Sequence, residues 1–342
     1  MRQTIGALVS IIATVAISAA AQGQSAAEFY KNKQIRIIVG NPAGGDYDMG
    51  ARTLARFMTR YLPGSPTMVV QNMPGASGIV TANHLYNVAP KDGSVFGSFS
   101  RNLPGQAALG RDTIKADPRL YGWIGGSSFP SRVCIVNATS PVKSFDDLFT
   151  TEVIVGSSGA GSGLSILPTV LNKVLGTKFR VIEGYRGSTD VVLAMERGEA
   201  QGICHTFSSF RNAHADLITE GKVRILLNSE ESVFPFAPNV PSVHSYAKTE
   251  AQRQLMRFAF SSVEFGRPYV TPPGVPAERL AALRKGFADG LNDPELIAES
   301  DKLQLDMSFR PPEMLEKLVA QLYATPKDII DQALEMMPAA GD

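Results

Sequence analysis

The sequence has few of the residues on which metal-binding, catalytic or disulfide-based functions usually depend. Its 342 residues include two cysteines, four histidines and one tryptophan. The histidines, at positions 84, 205, 214 and 244, show none of the spacings typical of zinc ligands. The 33 Lys and Arg residues nearly balance the 32 Asp and Glu residues, which argues against a broad basic surface for nucleic acid. We therefore expect no metal, no cofactor and no nucleic-acid partner.

The two cysteines, Cys134 and Cys204, each lie in an apolar, strand-like segment. They could pair in an oxidising compartment, but two widely spaced cysteines do not define a disulfide framework. The sequence favours two buried thiols over a bridge.

Long apolar runs are also missing, apart from one at the N-terminus. Met1-Arg2 is followed by the apolar stretch 5–17 and by small residues that include the pattern Ala19-x-Ala21. This stretch is shorter than the roughly 20 apolar residues of a membrane span, and it is typical of a cleavable secretory signal. We interpret residues 1–24 as a signal peptide, with a first buried helix or a membrane anchor as the alternative, and we expect a periplasmic protein without a lipid anchor.

The rest of the chain alternates strand-like and helix-like segments. Short apolar runs predict strands at 35–40, 67–72, 94–100, 152–156, 179–185, 201–207, 223–228 and 257–263. Stripes of apolar residues at helical spacing predict helices between most of them, and further helices at 276–291, 315–323 and 329–334. This order of elements is typical of an α/β protein with parallel sheets flanked by helices.

The alternation occurs twice, which predicts two lobes of similar size. We assign residues 25–131 and 257–342 to the first lobe and 132–256 to the second. The last helices follow no strand of the second unit, so we expect them to pack on the first lobe. The chain would then cross between the lobes twice, and two crossing strands form a hinge.

Two glycine-rich turns stand between a strand and a helix start, one in each predicted lobe. The first is Asn41-Pro42-Ala43-Gly44-Gly45-Asp46-Tyr47-Asp48, and the second is Gly156-Ser157-Ser158-Gly159-Ala160-Gly161-Ser162-Gly163. Backbone N–H groups at a helix N-terminus lack partners and attract anions, and glycine lets a ligand approach the main chain. Each turn alone could be an ordinary strand-to-helix connection, but together they predict an anion site between the lobes.

Two further segments follow predicted strands, at the sheet edge where open α/β sheets bind ligands. They contain Arg101 and Asn102 in the first lobe, and Tyr185, Arg186, Gly187 and Ser188 in the second. An arginine fork fits a carboxylate, although either arginine could be an ordinary surface residue. His205 follows another strand and is a further candidate, with a structural role at the strand end as its alternative. No nucleotide-binding motif or nucleophile elbow is present, so we expect that the chain is not an enzyme.

Several of these segments in register resemble the receptors of tripartite tricarboxylate transporters, also called Bug proteins. The resemblance runs from about Phe29 to the C-terminus and rests on residues 35–58, 69–93, 159–163, 183–199, 239–243 and 271–280. It implies a two-lobed periplasmic binding protein fold of type II that closes on a carboxylate. The matching positions are Pro42 to Asp48, Ser157 to Gly163 and Tyr185 to Ser188.

The resemblance also implies two integral membrane subunits as partners. The sequence departs from the family pattern at Asn41, Arg101, Arg186 and Gln201, which leaves open which carboxylate binds. Our hypothesis is a monomeric receptor that captures a small carboxylate for such a transporter. The alternatives are a ligand-sensing protein that feeds a signalling partner, and a hydrolase or transferase that uses Ser158, Ser162 or His205.

Overall fold

The computed structural model describes residues 25–159, 162–231, 234 and 236–336. The predicted signal peptide, Ala160 and Gly161 lie outside the described residues. The first third of the chain forms α1 (Ala26–Tyr30), β1 (Gln34–Val39), α2 (Asp46–Met58), β2 (Thr67–Asn72), α3 (Ile79–Asn87), β3 (Val95–Ser98), α4 (Leu103–Ala108) and β4 (Gly122–Gly126).

The middle of the chain repeats this pattern of strands and helices. It forms β5 (Arg132–Asn137), β6 (Val153–Gly156), α5 (Ile166–Leu175), β7 (Phe179–Ile182), α6 (Ser188–Glu196), β8 (Gly202–Thr206), α7 (Phe207–Ala213), α8 (Ala215–Thr219) and β9 (Val223–Asn228). The last part forms α9 (Glu250–Glu264), β10 (Pro268–Thr271), α10 (Ala277–Leu291), α11 (Pro294–Lys302), α12 (Pro312–Tyr323) and α13 (Lys327–Met336).

The strands form two five-stranded sheets, which confirms the predicted two-lobed α/β architecture. Their orders are β2-β1-β3-β10-β4 and β7-β6-β8-β5-β9. The sequence led us to expect parallel sheets, but neither sheet is fully parallel. The strands β10 and β5 run antiparallel to both of their neighbours. Each of these strands enters its sheet from the other lobe and not through a helical crossover within its own sheet, so nothing requires it to run parallel.

The predicted strand at 257–263 is wrong, because this segment belongs to the helix α9. Thr249 and Gln252 form a capping box that fixes the start of the helix. Leu255, Met256, Phe260 and Val263 are then buried at helical spacing. Phe258 and Phe260 alternate with smaller residues, which is a pattern typical of strands. The capping box at Thr249 and Gln252 instead indicates a helix that runs through this segment. The predicted lobe boundary at 256/257 consequently falls in the middle of α9.

The last two helices pack beside different sheets. As predicted, α12 packs on β4 and α4 of the first lobe. The final helix, α13, packs instead on α9 and on α5 of the second sheet. A single apolar core therefore runs from Phe99 and Trp123 beside the first sheet, through α9, α12 and α13, to Val136 and Val153 of the second sheet. No helix in the described ranges has both the length and the apolar character needed to span a bilayer.

Cys134 and Cys204 form a disulfide, so the prediction of two free thiols is wrong. The register of the antiparallel pair β5 and β8 places the two residues directly opposite each other. Their separation of 70 residues along the chain concealed this pairing, since only the sheet register brings them together. Oxidised cysteines fit the exported state that the N-terminus predicts.

Two short segments cross between the lobes, and one buried arginine ties them together. The first crossing, residues 127–131, links β4 to β5, and the second leaves β9 at Asn228. Arg310 and Glu230 are both fully buried, and the Nη2 atom of Arg310 donates to both carboxylate oxygens of Glu230 at 2.9 Å. The same carboxylate accepts a hydrogen bond from Ser131, and Arg310 Nε donates to the carbonyl of Ser128. This cluster holds both crossings against the first lobe.

Replacing both cysteines, as in the double variant Cys134→Ala/Cys204→Ala, should lower the free energy of unfolding by about 2 to 4 kcal/mol, because the bridge restricts a long loop of the unfolded chain. Urea unfolding of the oxidised wild type and of the variant measures the difference. Thiol titration of the denatured wild type should find no free thiol before reduction. Equal stability of the two proteins, or two free thiols, would contradict the bridge.

Arg310→Met should lower the free energy of unfolding by about 3 to 5 kcal/mol, because Glu230 is left buried without a charge partner. The double variant Arg310→Met/Glu230→Gln removes that charge and should recover most of the loss. Trp123, the single tryptophan, is buried against Phe265 and reports unfolding by its fluorescence. A loss of the same size in both variants would show that the ion pair does not account for the destabilisation.

Candidate functional site

The first glycine-rich turn lies between β1 and the N-terminus of α2, as predicted. Gly45 caps α2 without any side-chain hydrogen bond, and residues 42–46 are exposed. Gly44 has a φ of +83°, a left-handed conformation that favours glycine. The N–H groups at the start of a 13-residue helix are therefore accessible to an anion.

Asp48, predicted as a ligand-binding residue, is buried beneath this turn and binds its own neighbours. Its carboxylate accepts hydrogen bonds from the backbone N–H of Gly44 at 2.9 Å, from Arg52 at 3.0 Å and from Asn72 at 2.8 Å. Burial by itself raises the pKa of Asp48, but the hydrogen bonds from Arg52, Gly44 and Asn72 outweigh it and lower the pKa below its usual value. Asp48 therefore fixes the shape of the turn.

Tyr47 connects the turn to the segment that follows β3. Its hydroxyl accepts a hydrogen bond from the backbone N–H of Arg101 at 3.1 Å. The side chain of Arg101 is half-buried, whereas Asn102 is exposed and caps the short helix α4. The structure thus brings the Tyr47 side chain and the backbone of Arg101 together.

The second glycine-rich turn is held by a chain of serine hydroxyls. Ser157 is buried, and its Oγ accepts from the N–H of Gly159 at 3.2 Å and contacts Ser162 Oγ at 3.0 Å. Ser165 Oγ donates to the carbonyl of Gly159 at 3.0 Å. The helix α5 begins only at Ile166, later than predicted, because a turn over 162–165 comes first. Ser158 is exposed beside this hydroxyl chain.

The segment 185–188 contacts the second turn. The backbone N–H of Tyr185 donates to the carbonyl of Ser157 at 3.2 Å, and Gly187 and Ser188 begin α6. Arg186 is exposed and forms an ion pair with Asp190 on the first turn of the same helix, with Nε 2.8 Å from Oδ2. In this arrangement Arg186 braces its own helix.

The sequence analysis missed Arg132, the first residue of β5. Since β5 runs antiparallel to β8, its beginning lies at the edge where β6, β7 and β8 end. The guanidinium of Arg132 lies over Gly163 of the second turn and donates to its carbonyl. Burial, together with the charge of Arg101 in the other lobe, lowers the pKa of Arg132 to about 10. Arg132 therefore lies beside the second turn, at the edge where the parallel strands of its sheet end.

Arg267 occupies the corresponding place in the first lobe, immediately before the antiparallel strand β10. Its side chain is buried, and Nη1 lies 3.6 Å from the sulfur of Met307. A Cβ at Gly50 would come within 3.0 Å of the same atom, so glycine at position 50 of α2 makes room for the guanidinium. Each arginine precedes an apolar, strand-like run, so its place at the start of a strand was predictable. The direction of that strand within its sheet was not, because a sequence does not show strand direction.

His205 lies at the same edge as Arg132 but adds no positive charge. Burial, followed by the nearby charges of Arg132 and His214, lowers the pKa of His205 to about 4. The imidazole is therefore neutral at pH 7. Among the described residues no cluster of three His, Cys, Asp or Glu side chains is arranged to hold a metal ion. The groups found at the two turns, which are backbone N–H groups, serine hydroxyls and guanidinium groups, are all of a kind that binds anions.

No protein-family model matches the sequence. A UPF0065 protein of Cupriavidus necator is 24% identical over 330 residues, which cover 94% of each chain. A UPF0065 protein of Bordetella bronchiseptica is 22% identical and covers 80% of this chain and 77% of the relative.

Solved structures of low identity share the fold. A TctC solute-binding protein from Polaromonas aligns over 89% of this chain and 99% of its own, with a TM-score of 0.68 and 20% identity. The periplasmic binding protein BugD aligns over 89% and 98%, with a TM-score of 0.50 and 20% identity. An R. palustris protein solved with adipate aligns over 88% and 97%, with a TM-score of 0.52 and 18% identity. The chain is a relative of the UPF0065 proteins and has the two-lobed fold of TctC and BugD, which confirms the resemblance of its loop motifs.

Proposed function

We propose that this chain is a periplasmic solute receptor that captures a small organic carboxylate between its lobes and delivers it to membrane subunits of a tripartite tricarboxylate-type transporter. The observation that carries the proposal is the arrangement of the cleft. An accessible helix N-terminus and Arg101 belong to one lobe, and a serine-lined turn and Arg132 belong to the other. Two hinge crossings allow such lobes to close on a ligand.

The relatives support the choice of ligand and compartment. The TctC neighbour is a solute-binding protein, BugD is a periplasmic binding protein, and the R. palustris neighbour was solved with adipate, a carboxylate. The disulfide and the predicted signal peptide fit export. The N–H groups of the first turn and the arginine forks are both suited to carboxylate oxygens.

The hydrogen bonds of the turn give no support to the enzyme alternative. Ser162 Oγ contacts the hydroxyls of Ser157 and Ser165 and accepts from the N–H of Leu164, so its neighbours in the described chain are not a general base. A solute carrier needs no such base, because it returns its ligand unchanged.

A thermal-shift screen of mono-, di- and tricarboxylates, adipate included, should identify at least one that stabilises the protein. At a ligand concentration of about 100 times Kd the free energy of unfolding should rise by about 2.7 kcal/mol. The matched neutral amides serve as controls and should give no shift. Chromatography should recover the carboxylate unchanged, and scattering should show a smaller radius of gyration with ligand. No shift with any carboxylate would contradict the proposal.

Asp48→Asn should loosen the first turn, because the amide nitrogen cannot accept the hydrogen bonds that the carboxylate oxygen accepts. We expect a loss of about 1 to 3 kcal/mol at pH 7 and weaker carboxylate binding. Since the pKa of Asp48 is lower in the folded state, its contribution is present above the unfolded value of about 3.9 and is lost as the pH falls through the folded value.

Asp46→Asn, an exposed change two residues away, is the matched control for stability. Urea unfolding at pH 7 and at pH 3 measures both variants. The difference between Asp48→Asn and wild type should shrink at the lower pH, and a difference that stays constant would show that the charge of Asp48 does not hold the turn.

A further inference from the structure

One reciprocal pair of hydrogen bonds joins the two lobes away from the hinge. Asn212 lies on α7 of the second lobe, and Gln304 follows α11 of the first. Asn212 Nδ2 donates to the carbonyl of Gln304 at 2.8 Å, and Gln304 Nε2 donates to the carbonyl of Asn212 at 3.3 Å. In the described part of the chain, the other side-chain hydrogen bonds between the lobes involve the two crossings or the helices α9 and α13.

The backbone of Gln304 has a conformation that glutamine seldom adopts. Its φ is +53°, in the left-handed region. Gln304 comes directly after Leu303, the last cap residue of α11, and glycine is preferred at this position. The N–H of Leu305 then donates to the carbonyl of Ser300 at 2.9 Å, which fixes the end of the helix. Glutamine is strained here where glycine would not be, yet its side chain and its carbonyl both bind the other lobe.

The contact is separate from the apolar core that joins the sheets. The sequence neighbours of the two residues, Arg211 and Leu305, line a cavity of about 380 Å³ with walls from both lobes. Gln304 is exposed and Asn212 is half-buried. Since the contact is small and polar and lies beside a cavity, it can form and break without repacking of the core.

Both residues belong to segments that lead to the hinge or to the cleft. The helix α7 follows β8 directly, and β8 pairs with β6, at whose end the second glycine-rich turn begins. Two residues after Gln304, the carboxylate of Asp306 accepts a hydrogen bond from the N–H of Phe129 in the first crossing at 3.0 Å. A rotation of the lobes about the crossings would therefore separate Asn212 from Gln304.

We propose that the reciprocal contact of Asn212 and Gln304 is a latch that stabilises the closed arrangement of the lobes, without ligand as well as with it. This inference rests on the proposed receptor function. A ligand that binds only the closed state has an apparent Kd that falls as the closed fraction rises. The latch therefore increases the affinity for the ligand without touching it, and this gain offsets the strain at Gln304.

The first experiment needs no ligand. Small-angle scattering should give Asn212→Ala and Gln304→Gly a larger radius of gyration than the wild type, because each change removes one hydrogen bond of the latch. The matched control is Asn87→Ala, which removes an exposed amide that donates to the carbonyl of Asn83 within α3. The control should have the radius of gyration of the wild type. An unchanged radius in both latch variants would overturn the proposal.

The second experiment separates the latch from a purely structural role of Gln304. In urea unfolding, Gln304→Gly should be at least as stable as the wild type and more stable than Gln304→Ala, because glycine adopts the left-handed conformation without strain. Calorimetry with succinate, adipate and citrate measures affinity. For each probe that binds the wild type, Kd should rise about two- to tenfold in Asn212→Ala and in both Gln304 variants, as expected for one lost hydrogen bond.

The outcomes separate the latch from the function on which it rests. If the wild type binds a probe and the latch variants bind it equally well, the latch is wrong and the receptor function stands. Weaker binding by Gln304→Ala but not by Gln304→Gly would assign the effect to backbone strain and would also overturn the latch. If no carboxylate binds the wild type, the proposed function fails, and the scattering comparison alone decides the latch.

Discussion

The buried pair of Arg310 and Glu230 is the constraint on which the two-lobed arrangement depends. Both side chains are fully buried, so neither could keep its charge there without the other. Glu230 lies on the second crossing and accepts from Ser131 on the first, while Arg310 is anchored by backbone pairing to Gly126 at the end of β4. One ion pair thus ties the two connections to each other and to the loop that carries Arg310.

The same crossings determine what lines the cleft. The strands β5 and β10 each follow a strand of the other sheet and run antiparallel, so their beginnings lie where the parallel strands of their own sheets end. Arg132 and Arg267 occupy these two beginnings. A chain with helical crossovers alone would present only the ends of its parallel strands at the cleft. Of these two arginines, Arg132 lies beside a glycine-rich turn, whereas Arg267 is buried against Met307.

Local patterns were enough to predict most elements and both turns, because the residues responsible are neighbours in sequence. Ile35, Ile37 and Val39 mark β1, and the apolar stripe of α2 marks the helix that follows. Sheet register links residues far apart in the chain, and three features depend on it. They are the disulfide, the direction of the antiparallel strands and the position of Arg132 beside the second turn. The hydrogen bond between Asp48 on α2 and Asn72 on β2 also joins residues that are far apart in the chain. The sequence alone does not show which residues of distant elements lie next to each other.

The packing behind the hinge limits where motion can occur. The apolar core that passes through α9, α12 and α13 joins the two sheets at the back, so opening there would expose large buried side chains such as Phe260 and Leu315. Exposing each would cost about 1.5 to 3 kcal/mol. The glycine-rich turns and the side chains of Arg101 and Arg132 are polar, so an opening of the cleft would expose little apolar surface there. In the proposed receptor, the energy of closure would therefore come mainly from polar contacts with the bound anion.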